Sequence, residues 1–204
     1  MTDAVIVASA RTPLGKAFRG LFNDTEAPTM GGMAVRAAVE RTGVDPAEVD
    51  DVIMGCAMPQ GTTSLNIGRM SALSAGLPVT VSGMTIDRQC SSGMMAIATA
   101  AKQILCDGMQ IVVGGGLEHI SLVQNEHQNM YRRVDPRLKA LHPNAYMQML
   151  QTAEVVAKRE PVSAVYRATS PSVIVRGGAC AIFWPTWKSS KKLPSLFFAL
   201  TACP

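Results

Sequence analysis

VTVSGMTIDRQCSSGMMAIATAAKQILCDGMQIVVGGG, residues 79–116, carries the pattern that decides the fold. Residues 79–86 are apolar and β-branched and read as a strand. Residues 91–106 follow as a long Ala- and Met-rich stretch with few polar positions, which predicts a largely buried helix. Asp107-Gly108 stops it. Residues 110–113 return to strand character and run into Gly114-Gly115-Gly116.

The same alternation extends upstream. Residues 4–8 form a short apolar run, predicted as a buried strand. Residues 30–41 place Met33, Val35, Ala37, Ala38 and Val39 among polar neighbours, which suits a helix, with Gly43 as its stop. Residues 49–56 read as a second strand. Residues 66–75 read as a second helix, ended by Gly76 and Pro78. Strand–helix alternation of this kind predicts an α/β layered domain with a mainly parallel sheet. Sites in such sheets favour the carboxyl ends of strands, where the junction at residues 87–90 falls.

Downstream the alternation breaks. Residues 118–151 hold all three histidines (His119, His127, His142) and a turn-prone Val134-Asp135-Pro136, and read as a loop subdomain laid over the site. Residues 152–159 resume as a helix. From 161 the composition shifts: the tail holds six of the ten aromatics, five of the twelve prolines and no Asp or Glu. Residues 1–160 carry 14 Lys+Arg against 15 Asp+Glu, whereas residues 161–204 carry 5 Lys+Arg and no acid. The net charge of +4 therefore belongs to the tail. It forms no compact basic patch and gives no case for nucleic acid. The tail reads as atypical, fitting a shifted reading frame or disorder.

With 48% hydrophobic and 17% charged residues, the chain belongs among folded globular proteins. No apolar run reaches the roughly 18 residues of a membrane span. The N-terminus has no basic segment before its apolar run, so cytoplasm is expected. The five cysteines include no CxxC pair, which argues against a disulfide framework or zinc site.

Asp87-Arg88-Gln89-Cys90-Ser91-Ser92-Gly93 stands out chemically. A cysteine between a strand and a long helix meets the free amides of the helix start, which stabilise a thiolate. Thiolate is the nucleophile that acyl transfer needs. Ser91 and Ser92 suit the caps, and Gly93 allows close approach of a backbone or substrate. The plainer alternative is a buried cysteine acting as a small hydrophobe. Gly114–Gly116 is not GxGxxG and reads as a close helix–strand contact. The histidines lack i,i+4 zinc spacing and are expected, with Glu118 and Glu126, on a polar loop face. Cys56 and Cys106 are expected in the core, and Met94, Met95 and Met109 in packing.

Five segments in order resemble the thiolase family of acyl-CoA C-acyltransferases over residues 1–160. They are Arg11 to Gly20; Gly55-Cys56-Ala57 with Asn66-Ile67-Gly68-Arg69; residues 87–102; Val112 to Ser121; and Met149 to Glu154. The resemblance implies a thiolase-like amino-terminal domain, a mixed, mainly parallel sheet between helices, with the carboxyl-terminal half of the fold missing. It implies that Cys90 takes the acyl group from CoA as a thioester, for Claisen condensation or thiolytic cleavage in fatty acid metabolism. It implies that Met149 lines the acyl pocket. Leu150 stands where glycine is usual and Gln148 where short-chain members carry histidine, which tilts the reading towards a broad or degradative enzyme. The CoA thioester is substrate, and no cofactor or metal is implied. Family members are homo-oligomers. The family's histidine base, in Gly-His-Pro, and its second cysteine have no counterpart here, so the chain alone is expected to be inactive. The alternatives are a ketoacyl-synthase-like condensing enzyme and a non-catalytic fragment that docks on intact subunits.

Overall fold

The computed structural model describes residues 3–159 in full and the backbone of residues 196–201. Two units are distinguished, Met1–Gln128 with Phe183–Pro204, and Asn129–Ile182.

The first unit holds the sheet. Its strands are β1 (Val5–Ala10), β2 (Asp51–Gly55), β3 (Ser82–Ile86), β4 (Ile111–Gly116) and β5 (Leu196–Thr201), in the order β1-β5-β4-β2-β3. Every strand pair is parallel. Between the strands run α1 (Ala27–Thr42), α2 (Ile67–Ala75) and α3 (Ser92–Cys106). After β4 comes one short turn of helix, α4 (Ile120–Val123).

Alternation along the strands sends side chains to opposite faces. Val52, Met54 and Val113 join one core cluster with Val35, Ala38, Ile67 and Ala72 of α1 and α2. Ile53 and Val112 join the other with Ala96, Ala100 and Ile104 of α3. Helices cover both faces, so β2 and β4 are buried throughout, as parallel strands generally are.

Local chemistry sets the helix ends. Asn66 caps α2: its Oδ1 accepts from Arg69 N–H at 3.1 Å and its Nδ2 donates to the Gly83 carbonyl at 2.6 Å. Gly76 closes α2 in the left-handed region at φ 86°, and Gly43 closes α1 at φ 69°, a conformation glycine adopts at no steric cost.

Sequence expectations for β1, α3 and Cys106 need correction. The run at residues 4–8 is not a buried strand: β1 is a sheet edge, with Val5, Ile6 and Val7 exposed. The helix at α3 is buried on one side only. Ser92, Ala96, Ala100 and Ile104 face the protein, while Met94 and Leu105 are 54% and 50% exposed. Only one side of a helix can lie on a sheet, and α3 is apolar on both. Cys106 is not a core thiol, because as the last residue of α3 it lies beyond the sheet contact and is exposed.

The tail contributes β5 between β1 and β4, with Leu196 opposite both Val5 and Ile111. Composition alone did not predict a strand there. The expectation of an atypical segment over residues 161–195 lies outside the described residues.

The second unit, within its described residues, contains α5 (Pro136–Leu141) and α6 (Met149–Arg159). Asp135 caps α5 by accepting from Arg137 N–H at 2.8 Å, and its own N–H donates to Tyr146 Oη at 3.0 Å. No residue of α6 is buried. Among the described residues no helix is long and apolar enough to cross a membrane.

Candidate active site

The carboxyl ends of β2, β3 and β4 lie side by side: Gly55 is in register with Ile86 on one side and Gly116 on the other. The loops leaving these ends bring together Cys56-Ala57, Asp87–Cys90 and Glu118-His119.

Cys90 sits in a 3-10 turn, Gln89–Ser91, between β3 and α3, and its side is open to solvent. Three side-chain hydrogen bonds tie the turn. Asp87 Oδ1 accepts from Gln89 N–H at 2.8 Å. Ser92 Oγ accepts from Arg88 N–H at 2.8 Å and donates to the Gln89 carbonyl at 2.6 Å. Gln89 takes the left-handed region, φ 50°, which is uncommon for a residue with a Cβ. Ser91 is the residue at the helix cap but makes no side-chain capping bond. Ser92, a residue later, ties the turn instead. Cys90 thus sits in the turn just ahead of α3, whose first amide, Ser92 N–H, donates back to the Gln89 carbonyl, at the positive end of the helix dipole.

Close backbone packing holds the helix start against the sheet. A Cβ on Gly116 would lie 2.9 Å from the Gly55 carbonyl and 3.0 Å from Gly93 Cα, and one on Gly114 would lie 3.1 Å from Ala100 Cβ. The glycine run is therefore a helix–strand contact, as its lack of GxGxxG spacing suggests. At Gly93 itself the space is ample, since a Cβ there would meet nothing nearer than 3.8 Å. The steric need lies at the strand glycines that face it.

Cys56 is a core residue, fully buried at 0% exposure. Its amide donates to the Ile86 carbonyl at 3.0 Å. Burial pushes its thiol up from 9.0 to about 11, and the neighbouring negative Glu118 adds to the rise; bonds with Met58 and Thr63 oppose it. Glu118 accepts a hydrogen bond from Ala57 N–H through Oε1. Burial lifts its carboxyl above the ordinary 4.5, and negative Asp87 adds to that, while bonds from Ala57, Cys56 and Met58 hold it back.

A carboxyl raised in the folded state favours folding while it is protonated. That contribution is present below pH 4.5 and is lost as pH rises through the folded value. Glu118→Gln, which stays neutral, is therefore expected to resist urea better than the parent at pH 7, with the advantage shrinking at pH 4. Equal midpoints at pH 7 would contradict the shift.

Glu118 and His119 were expected on a polar loop face; both are drawn inward. His119 is 4% exposed. Its Nε2–H donates to the Phe22 carbonyl at 3.0 Å and its Nδ1 accepts from Leu122 N–H at 3.1 Å, which makes it the cap of α4. Both ring nitrogens are paired, which is why a polar ring tolerates burial. His119→Ala is expected to cost about 2 kcal/mol by orphaning two backbone groups, read from the urea midpoint. His127 is exposed beside Glu126, as expected. Met94 is exposed rather than packed, while Met109 packs against the core.

Met149 heads α6 in the second unit and is 69% exposed. The sequence pointed to Cys90 and to Ser92 at the helix start, but not to Asp87 as an acceptor within the turn or to Glu118 beside Cys56-Ala57. For Glu118 a signal existed: a carboxylate immediately after the buried run Gly114-Gly115-Gly116-Leu117 has little room to reach solvent.

Fold and site define a layered, parallel α/β protein with an exposed thiol at a strand-to-helix turn. The chain belongs to the thiolase family: the description "Thiolase, N-terminal domain" matches residues 4–164. It is 39% identical over 163 residues to a 3-ketoacyl-CoA thiolase of Bacillus subtilis, an alignment spanning 80% of this chain and 41% of that protein. It is 45% identical over 121 residues to an acetyl-CoA acetyltransferase of Cupriavidus necator, covering 59% of this chain and 30% of the relative. The crystal structure of the Bacillus anthracis acetyl-CoA acetyltransferase superposes with a TM-score of 0.64 at 35% identity, covering 80% of this chain and 43% of that one. The chain therefore spans less than half the length of these relatives.

Proposed function

We propose that this chain supplies the acyl-accepting part of an acyl-CoA C-acyltransferase, with Cys90 as nucleophile. Cys90 Sγ attacks the thioester carbonyl of an acyl-CoA. The new bond joins Cys90 sulfur to the acyl carbon, the bond from that carbon to CoA sulfur breaks, and the cysteine proton leaves with the CoA thiol. The thioester is already an activated acyl donor, so the substrate brings the chemistry a cofactor would otherwise supply. The observation that carries the reading is the exposed Cys90 in the turn that opens α3. The compartment that goes with this reading is the cytoplasm.

The relatives are more than twice as long as the matched region, and the family's histidine base and second cysteine belong to the remainder. The proposal for these residues is therefore limited to the acylation of Cys90. Incubation with acetyl-CoA followed by peptide mass spectrometry is expected to find the acetyl group on Cys90 and to lose it in Cys90→Ala. No adduct on Cys90, with or without a complete thiolase subunit in the mixture, ends the reading.

A second reading, a fragment that docks on intact thiolase subunits, is favoured by α3. Its Met94 and Leu105 lie exposed on a helix whose only charged residue is Lys102, and helices apolar all round are ordinarily covered. Co-purification with a complete thiolase, without acylation of Cys90, would select it.

A further inference from the structure

The strand ends beside Cys90 hold one half-buried carboxyl that the acyl transfer itself does not use. Glu118 leaves β4 after Leu117, whose amide donates to the Gly55 carbonyl at 3.0 Å. Its own carboxyl then accepts from Ala57 N–H and meets the Cys56 thiol. The segment Gly55-Cys56-Ala57 is thereby held by the two successive residues that follow β4. On its other side, Cys56 N–H donates to the Ile86 carbonyl at 3.0 Å. Ile86 is the last residue of β3, and Asp87, next in the chain, builds the Cys90 turn through its bond to Gln89 N–H. An unbroken set of hydrogen bonds thus runs from Glu118, across the end of β2, to the residue from which the nucleophile turn departs.

We propose that Glu118 is a positioning residue for Cys90: its carboxyl clasps Cys56-Ala57 and so fixes where the end of β3 releases the nucleophile turn. This deepens the reading of Cys90 as nucleophile and rests on it. Glu118 touches no acyl group in this account and acts only through the turn. Ordinary loop packing would leave the position tolerant of any side chain that fills the space. A clasp requires an acceptor oxygen at the right reach.

The test uses the full chain and a pyridyl disulfide probe, with labelling rates read by peptide mass spectrometry. Cys90 and Cys106 are both exposed and lie at opposite ends of α3. Their ratio of rates reports the nucleophile turn, with Cys106 as an internal standard. Cys56, wholly buried, reports whether the variant is folded. In the parent, Cys90 is expected to be labelled several-fold faster than Cys106. Glu118→Gln keeps an acceptor oxygen at the same reach and is expected to keep the ratio. Glu118→Ala is expected to bring it to about one, because the turn is no longer held in place, while Cys56 stays protected.

An unchanged ratio in Glu118→Ala, with Cys56 protected, overturns the proposal and leaves Cys90 as nucleophile standing. A parent ratio near one removes the nucleophile reading, and the proposal with it. Should Glu118→Ala expose Cys56, Glu118→Asp decides. This carboxyl, one methylene shorter, is expected to lose the ratio that Glu118→Gln keeps, and a kept ratio overturns the clasp.

Discussion

Replacing Gly55 by alanine displaces the start of α3 and takes Cys90 with it. A Cβ at Gly55 would lie 2.2 Å from the Ser92 carbonyl carbon, 2.3 Å from Gly93 N and 2.4 Å from the Ser92 carbonyl oxygen. All three are backbone atoms, so no rotamer change relieves the clash. Either the helix start lifts off the sheet or the end of β2 bends away from it. Moving β2 breaks its register with both Ile86 and Gly116. Overpacking in a dense core costs about 1–3 kcal/mol, and a clash between two backbones belongs at the upper end. A loss of about 3 kcal/mol in urea denaturation is therefore expected, with slower labelling of Cys90 in the molecules that still fold. Gly93→Ala is the control. The nearest heavy atom to its Cβ would be Gly116 Cα at 3.8 Å, an ordinary contact. Exchanging glycine for alanine in a helix gains up to about 1 kcal/mol. The two substitutions thus pull in opposite directions from opposite sides of one contact. If Gly55→Ala is as stable as the parent, α3 is not seated on β2 as described.

That contact also shows where the sequence was readable and where it was not. The strand–helix order over residues 79–116 follows from side-chain pattern and Gly stops, because those act within a few residues of chain. Gly43 and Gly76 ended their helices as their positions imply. Gly55 carries no such signal: its need for a bare backbone comes from Ser92 and Gly93, some forty residues away. Burial at α3 failed for a related reason. Its apolar pattern says that both sides seek cover, but the pattern cannot say how much of that cover lies within the first unit. Cys106 and Cys90 look alike as lone cysteines near the ends of one apolar stretch, and both prove exposed. His119 failed in the opposite sense. A histidine in a polar stretch reads as surface until a distant carbonyl, Phe22, is found to satisfy its ring.

The buried thiol gives the largest contrast in reactivity. At pH 7, Cys56 is expected to react with an alkylating agent at least about a hundredfold more slowly than an ordinary exposed thiol. Two effects act in the same direction. Raising the thiol from 9.0 to about 11 removes all but about one-hundredth of the thiolate it would otherwise have, and thiolate is the reacting form. Complete burial adds the need for local opening before any reagent arrives. The same shift links Cys56 to stability in alkali. An unfolded thiol ionises from about pH 9, whereas the folded one keeps its proton until about 11. Between those values the unfolded state sheds its proton first, so stability present below pH 9 is lost as pH climbs towards 11. Cys56→Ala has no thiol to ionise and is expected to fall less steeply across that window, although the small cavity makes it less stable at pH 7. Parallel curves for the two proteins between pH 9 and 11 would mean that the Cys56 thiol is not held protonated by the fold. Burial and Glu118 would then not govern the strand ends beside Cys90 as this account requires.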